Sequence, residues 1–264
     1  RPGDRQAVML RSGAWPVGVR HRAVGAPAAM RFDAGQTRLF SRTDTADMAK
    51  GILARAGHPV DDLDLRLAMR GADHFIASRW HVGPWWHHET VVRDLFTAGY
   101  REGLNALASL SHHPDEVARL ADEIYQAYAD SEHWALYDDV QPTLAALRTM
   151  GMPLGIVSDW GESLPMLLHQ LGIAGDFQTV VVSSRLGLGK PDPGLFAMAV
   201  SRLGLRPEQV WYIGDTYSKD VLGARAAGLH PILIDREGRH GDLDCRVIRG
   251  LDELLAPRDG LHAP

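Results

Sequence analysis

The stretch Val-Trp-Tyr-Ile-Gly-Asp-Thr-Tyr-Ser-Lys-Asp, residues 210–220, decides the fold class of this chain. Its first four residues are hydrophobic, and Gly214-Asp215 then ends the run with a turn residue and a carboxylate. A second hydrophobic run, His230–Asp235, comes shortly after Gly228 and also ends in an Asp. Short runs of this kind are typical of strands buried on both faces of a parallel sheet. Both runs therefore predict strands of an α/β fold.

The chain before this stretch also alternates between strand and helix patterns. Apolar runs at Pro153–Ser158 and Thr179–Ser183 predict two more strands, and Ala28–Phe32 predicts the first strand. Leucines at i, i+3, i+4 and i+7 predict a helix between two of the strands: Leu164, Leu167, Leu168 and Leu171. Glycines stand where three helices should end: Gly172, Gly204 and Gly228. The alternation predicts a Rossmann-like parallel sheet with helices on both faces.

Residues 45–137 follow a different pattern. One helical face is formed by Val117, Leu120, Ala121, Ile124 and Tyr128, and no strand pattern is evident in this block. We therefore predict an inserted all-helical domain at 45–137, with the α/β core formed by 30–44 and 138–264. Residues 1–29 carry five Arg against one Asp and keep no regular period. We interpret them as a flexible extension, or as sequence upstream of the true start at Met30.

Composition narrows the possible function classes. The chain has 264 residues, of which 45% are hydrophobic and 23% charged, and its formal net charge is −5. This charge offers no overall basic field for nucleic acid or an anionic membrane. The single cysteine excludes an intrachain disulfide. No apolar run approaches the roughly 18 residues of a transmembrane helix, so we expect a soluble cytoplasmic protein.

Polar residues follow the predicted strands at their carboxyl ends, where open parallel sheets bind ligands. Asp33 follows the first strand, Ser158 ends the second, Lys190 follows the third, and Asp215 follows the fourth, with Asp220 close behind. The three carboxylates carry more charge than the one lysine can balance, and they would repel one another unless a hard divalent cation were bound. The set suits an anionic substrate such as a phosphate ester, with a carboxylate as nucleophile.

Four segments at these strand ends carry a family resemblance. Residues 33–37, 157–159, 190–192 and 214–220 resemble, in order, the four motifs of the haloacid dehalogenase-like (HAD) hydrolase superfamily. The resemblance covers about residues 28–256, and the helical insertion resembles the C1 cap of that superfamily. It implies Mg²⁺-dependent hydrolysis of a small phosphorylated metabolite through an aspartyl-phosphate.

The resemblance implies a role for each motif residue. Asp33 would be the nucleophile and a Mg²⁺ ligand. The backbone carbonyl of Gly35 and the carboxylate of Asp215 would be further ligands, with Asp220 in support. Such electrostatic stabilisation and positioning dominate phosphoryl transfer.

The remaining motif residues would act on the substrate or the loops around it. Ser158 would hydrogen-bond the transferring phosphoryl oxygens, and Lys190 would neutralise developing charge and position Asp33. Thr37 would hold the turn after the first strand and border the substrate site. Trp160 either lines the substrate crevice or covers the core.

Gly35 departs from the pattern of phosphatases in this superfamily, which carry a second Asp two residues after the nucleophile. That Asp protonates the leaving group, and such catalysis typically contributes ~10²–10⁴-fold. A weakly active or non-catalytic binding member is therefore an alternative. A 2-haloacid dehalogenase is a further alternative, disfavoured by Asp215. A phosphonate-cleaving enzyme would need Lys50, the single Lys of the insertion, as Schiff base.

A replacement acid would have to come from the insertion. Its stretch Trp80–Glu89 is dense in aromatic and imidazole side chains, and the candidates are His81, His87, His88 and Glu89. A zinc site here is disfavoured, because adjacent residues such as His87 and His88 point apart on a helix. We expect this stretch to face the substrate or to pack within the cap.

Overall fold

The computed structural model describes residues 26–80, 88–201 and 203–256. The strands are β1 (Ala29–Phe32), β2 (Leu39–Ser41), β3 (Trp134–Leu136), β4 (Leu154–Ser158), β5 (Thr179–Val182), β6 (Val210–Gly214), β7 (His230–Ile234) and β8 (Arg246–Ile248). The helices are α1 (Thr45–Arg55), α2 (Asp62–Trp80), α3 (Glu89–Asn105), α4 (Pro114–Ala127), α5 (Val140–Thr149), α6 (Leu164–Gln170), α7 (Pro193–Ser201) and α8 (Leu222–Ala226).

Six of these strands form one sheet in the order β5-β4-β1-β6-β7-β8, and every neighbouring pair is parallel. β1 lies in the middle, with β4 on one side and β6 on the other, so the chain changes direction across the sheet at β1. Ligands bind at the carboxyl ends of strands where the order reverses in this way. The predicted α/β sheet is confirmed, and β8 is an additional strand.

Both faces of the sheet are covered by helices. Met30 and Phe32 of β1 pack against buried residues of α5 and α6. Ala29 of β1 and Tyr212 of β6 belong to the opposite core, with buried residues of α7 and α8. Alternate residues of one strand therefore enter different cores, which explains why the strands are apolar at nearly every position. Gly172 follows α6 with a φ of 75°, a left-handed conformation that favours glycine.

Helices α1 to α4 form a separate unit, here called the helical unit. They bury a core of their own that includes Ile52, Met69, Leu104 and Ile124. The expectation that residues 45–137 contain no strand is wrong for the last few of these residues. Trp134–Leu136 form β3, which pairs antiparallel with β2. Three-residue strands are too short to show a period of two in the sequence. The ribbon of β2 and β3 lies where the chain leaves the sheet for the helical unit and returns.

Several predicted features lie outside the described residues. Of the predicted extension, only residues 26–29 are described, and Ala29 already belongs to β1. His81 and His87 also fall outside the described ranges. Among the helices that the structure describes, none is long and apolar enough to cross a membrane.

Candidate active site

The predicted site residues converge at the carboxyl edge of the sheet. Asp33 follows β1, Ser158 ends β4 and Asp215 follows β6, and these three strands are neighbours. Lys190 comes from the loop between β5 and α7 and reaches the same place. Each buried strand ends where a polar residue follows, because burying that residue without a partner in the apolar core would cost free energy.

One oxygen of the Asp33 carboxylate is held by two donors. The hydroxyl of Ser158 donates to Oδ1 at 2.9 Å, and the ammonium of Lys190 donates to the same oxygen at 2.5 Å. Among the described residues, no side chain donates to Oδ2. The Asp33 side chain is 11% exposed and the Lys190 side chain 3%. The contacts therefore orient the carboxylate while leaving one oxygen free to react.

Asp220 lies beneath this pair. Its Oδ1 accepts from Lys190 at 2.7 Å and from the Tyr212 hydroxyl at 3.0 Å, and its Oδ2 accepts from the backbone N–H of Thr216 at 2.9 Å. Asp220 is only 2% exposed. Three donors thus occupy both oxygens, which fits the supporting role that was expected better than direct binding of a metal.

The electrostatics of the site are dominated by burial and by an excess of negative charge. Burial, together with the charges of Asp33 and Asp220, raises the pKa of Asp215 to about 7. Burial also raises the pKa of Asp33, although Lys190 opposes that shift. Burial disfavours the charge of Lys190, but Asp220 and Asp33 outweigh this effect and raise its pKa well above the usual value. Lys190 is therefore a permanent cation at physiological pH.

Two side-chain hydroxyls of the described residues donate to Asp215, and both hydrogen bonds are long. Thr37 Oγ1 donates to its Oδ1 at 3.3 Å, and Thr216 Oγ1 donates to its Oδ2 at 3.3 Å. Thr37 has no exposed surface, so the expectation that it borders the substrate is corrected. Its buried hydroxyl instead donates to Asp215, in the loop that follows β6.

Trp160 stands beside Gly35. A Cβ atom placed on Gly35 would lie 3.4 Å from Cζ3 of the Trp160 ring. On its other side, the Trp160 ring packs against Trp134, with ring centroids 4.9 Å apart. The indole is partly buried, so it both covers the core and borders the turn after β1 that carries Asp33 and Gly35. The two alternatives for Trp160 are therefore compatible.

The donor set suits a hard divalent cation. Asp33 and Asp215 supply carboxylate oxygens, and the Gly35 carbonyl is a third oxygen on the same turn, accepting one hydrogen bond from the Thr37 N–H at 2.5 Å. The described residues hold no group of three His, Cys, Asp or Glu side chains arranged for a metal, so two carboxylates and a carbonyl would need water to complete the ligands. Burial and the charges of Asp33 and Asp220 raise the pKa of Asp215 although Lys190 opposes the shift, so a further cation at this set would offset the remaining negative charge.

Sequence reasoning missed several residues that hold the site. Asp159 accepts the backbone N–H of Lys190 at 2.9 Å and lies 3.5 Å from Lys219 Nζ. Arg38 is fully buried and donates to the backbone carbonyl of Asp33 at 2.7 Å. A charged residue next to a short apolar run was the available signal for Arg38. Nothing local in the sequence shows which loop Asp159 would face.

Lys50 does not reach this site. Its side chain is 54% exposed and pairs with Asp62 at 2.8 Å on the surface of the helical unit. This position gives no support to a Schiff base formed by Lys50. The Lys50–Asp62 contact is instead a solvated surface ion pair, a type that contributes little to stability.

This chain is similar in sequence to known proteins and similar in structure to solved ones. The haloacid dehalogenase-like hydrolase family model matches residues 27–228. A glyceraldehyde 3-phosphate phosphatase of Methanopyrus kandleri is 40% identical over 128 residues, 46% of this chain and 52% of the relative. A phosphoserine phosphatase of Thermus thermophilus is 33% identical over 138 residues, 52% of this chain and 54% of the relative. This chain thus spans about half the length of the curated relatives it matches.

A solved structure extends the likeness across the fold. The HAD hydrolase YfnB from Bacillus subtilis, in a crystal form bound to magnesium, superposes with a TM-score of 0.67 at 19% identity. The superposition covers 87% of this chain and 97% of YfnB, and at this identity it supports the fold alone. The family match includes Asp33, Ser158, Lys190 and Asp215 and most of the chain. This chain belongs to the haloacid dehalogenase-like hydrolase family.

Proposed function

We propose that this chain is a Mg²⁺-dependent phosphatase that acts on a small phosphorylated metabolite through an aspartyl-phosphate at Asp33. The observation that carries the proposal is the Asp33 carboxylate, whose Oδ1 is fixed by Ser158 and Lys190 while Oδ2 has no donor among the described residues. Two sequence relatives are named as phosphatases with different substrates, which supports the reaction class and leaves the substrate open.

The reaction would proceed in two displacements at phosphorus. In the first, an Asp33 oxygen attacks phosphorus, and the bond between phosphorus and the leaving oxygen breaks with its electron pair on that oxygen. In the second, water attacks phosphorus, the bond to Asp33 breaks, and inorganic phosphate leaves. Lys190 is held beside Asp33 as a fixed cation, which stabilises charge without reorganisation during the reaction.

Asp33, Asp215 and the Gly35 carbonyl would hold Mg²⁺. When bound, the ion neutralises charge on the phosphoryl oxygens and orients the group for in-line attack. Asp220 would act from behind, by holding Lys190 at 2.7 Å. We further propose that the helical unit is a cap of the C1 type, because it is inserted between β2 and β3, directly after the nucleophile turn.

Gly35 shapes the substrates that we expect. It supplies no carboxylic acid to the leaving oxygen, and such acids typically contribute ~10²–10⁴-fold, or roughly 3–5 kcal/mol of activation free energy. Unless another residue serves as the acid, the leaving oxygen must depart as an anion or take a proton from water or from a group of the substrate. Aryl and acyl phosphates, whose leaving groups are stable anions, should react faster than alkyl phosphates.

The testing experiment is hydrolysis of p-nitrophenyl phosphate with Mg²⁺ and with EDTA, by the wild type and by Asp33→Asn. We expect Mg²⁺-dependent turnover that Asp33→Asn abolishes. Asp192→Asn is the matched control, since Asp192 is exposed and accepts the Gly194 N–H before α7, a role that Asn can also fill. Release of halide from 2-chloropropionate in EDTA would support a dehalogenase instead. Retained turnover in Asp33→Asn would contradict the proposal.

A further inference from the structure

Glu89 reaches from the helical unit to the core. It is the first residue of α3, and its Oε2 accepts the backbone N–H of Glu162 at 2.6 Å, in the loop that follows β4. Its other oxygen, Oε1, accepts the hydroxyl of Tyr125 in α4 at 2.8 Å. One carboxylate thus joins two helices of the helical unit to a loop of the α/β core. Both oxygens are engaged, so Glu89 is poorly placed to serve as the missing acid.

Gly161 makes this contact sterically possible. A Cβ atom at Gly161 would lie 2.7 Å from Glu89 Oε2, closer than packed atoms approach, and 3.0 Å from Oε1, which is also tight. The φ angle of Gly161 is not in the left-handed region. The requirement for glycine is therefore the close approach of the Glu89 carboxylate, and alanine would be tolerated by the backbone itself.

The same loop carries Trp160 to the nucleophile turn. Trp160 directly precedes Gly161, and its ring edge borders Gly35. Its backbone N–H donates to Ser183 Oγ at 3.2 Å, so the core holds one side of the loop and Glu89 holds the other. A displacement of residues 160–162 would therefore move the indole that borders Gly35.

We propose that Glu89 is a positioning residue that fastens the helical unit onto loop 160–162 and thereby holds Trp160 against Gly35. A hydrogen bond from an amide to a carboxylate is stronger than one between neutral groups, which suits a contact between two separately packed units. The proposal rests on the proposed function only in taking the crevice beside Asp33 as the active site. Glu89 acts through Trp160 and does not touch the reacting atoms.

The first test is hydrogen–deuterium exchange of the ligand-free protein, resolved to the Glu162 amide by fragmentation. Loss of the acceptor in Glu89→Ala should accelerate exchange of that amide about tenfold. Gly161→Ala should accelerate exchange of the same amide, because the added methyl group would displace the Glu89 carboxylate. Glu162→Ala is the matched control. It removes the side-chain carboxylate of the residue whose amide is measured, and it keeps both that amide and its acceptor, Glu89. We expect no acceleration in Glu162→Ala, and equal acceleration there would overturn the proposal.

The second test is a double-mutant cycle between Glu89 and Gly161. If the added methyl acts by displacing the carboxylate, Gly161→Ala should change exchange by less than about twofold once Glu89 is Ala. Additive effects of the two substitutions would contradict the inference. Glu89→Gln, which keeps an acceptor oxygen, should restore most of the protection that Glu89→Ala loses.

Kinetics with p-nitrophenyl phosphate then separate positioning from general stability. Glu89→Ala should raise KM more than it lowers kcat, and Glu89→Gln should recover most of the loss. An inactive wild type would refute the proposed function and leave the exchange tests decisive for Glu89. Slow exchange of the Glu162 amide in Glu89→Ala would refute the role of Glu89, whatever the activity.

Discussion

Asp220 holds Lys190 from below: their side chains meet at 2.7 Å, and each is only 3% exposed. The same ammonium reaches Asp33 at 2.5 Å. A cation fixed between two carboxylates cannot reorganise when charge develops at the substrate, which is the condition under which electrostatic stabilisation is most effective. The ion pair between Asp220 and Lys190 thus links the fold of the loop after β6 to the chemistry at Asp33.

The tight enclosure of Lys190 predicts that shape matters there as much as charge. The chain has 28 Lys and Arg residues, of which only Lys50, Lys190 and Lys219 are Lys. A guanidinium is wider than an ammonium and does not fit a side-chain position that is 3% exposed. Lys190→Arg should therefore reduce kcat/KM for an aryl phosphate nearly as much as Lys190→Ala, by about 10²-fold or more.

Lys50→Arg is the control for this comparison, because Lys50 lies on the surface and is 54% exposed. It should keep the activity of the wild type. An active Lys190→Arg variant would mean that charge alone is required at this position.

Removing the negative charge below Lys190 should affect both stability and rate. In Asp220→Asn the shape is kept, but Lys190 loses one of its two carboxylate partners while staying buried. Breaking a buried ion pair typically costs about 3–5 kcal/mol. We expect a lower thermal midpoint and a lower kcat with KM little changed. An unchanged midpoint in thermal unfolding would show that Asp33 alone suffices to hold Lys190.

The raised pKa of Asp215 predicts how stability depends on pH without metal. An Asp in the unfolded chain titrates near 3.9, whereas Asp215 in the fold titrates at about 7. The folded state therefore binds more protons between these values, so stability should fall as pH rises from about 4 to about 7. Thermal unfolding in EDTA should show this decline, and Asp215→Asn should flatten it.

Mg²⁺ should oppose that decline, because a ligand that binds only the folded state stabilises it. Its effect on the thermal midpoint should be greatest above pH 7, where Asp215 is ionised. A midpoint that millimolar Mg²⁺ does not move at pH 8 would argue against a metal at Asp33 and Asp215.

The absence of an acid at Gly35 predicts a steep dependence on the leaving group. Across a series of phosphate esters under saturating Mg²⁺, turnover should rise strongly as the pKa of the leaving group falls. Release of the phosphoryl group from Asp33 should also be slow, since no carboxylate at position 35 activates water, and a burst should precede slow turnover. A flat series without a burst would mean that another residue serves as the acid, and His81, His87 and His88 would be substituted next.

The sequence was most informative where burial imposes a pattern. β4, β6 and β7 are apolar at nearly every position because both of their faces are covered, and this pattern predicted the sheet and the strand ends that carry Ser158 and Asp215. β3 and β8, of three residues each, are too short to show any period. The contact of Glu89 with the Glu162 amide joins residues 73 positions apart, and no local pattern encodes it.

Site roles were less predictable than site membership. Asp33, Ser158, Lys190 and Asp215 come together because neighbouring strands end at one edge, which follows from the topology. Which oxygen accepts from which donor depends on side-chain conformations that the sequence pattern does not specify. Thr37, for example, is buried against Asp215 instead of bordering the substrate site.

A covalent phosphoryl group on Asp33 is the central claim, and trapping it is the most direct measurement. Wild-type protein would be mixed with p-nitrophenyl phosphate and Mg²⁺, quenched in acid during the burst, digested, and analysed by mass spectrometry. We predict one phosphoryl group on the peptide that contains Asp33, and none in Asp33→Asn treated in the same way. An unmodified Asp33 peptide throughout steady turnover, or a phosphoryl group on another residue, would contradict Asp33 as the nucleophile.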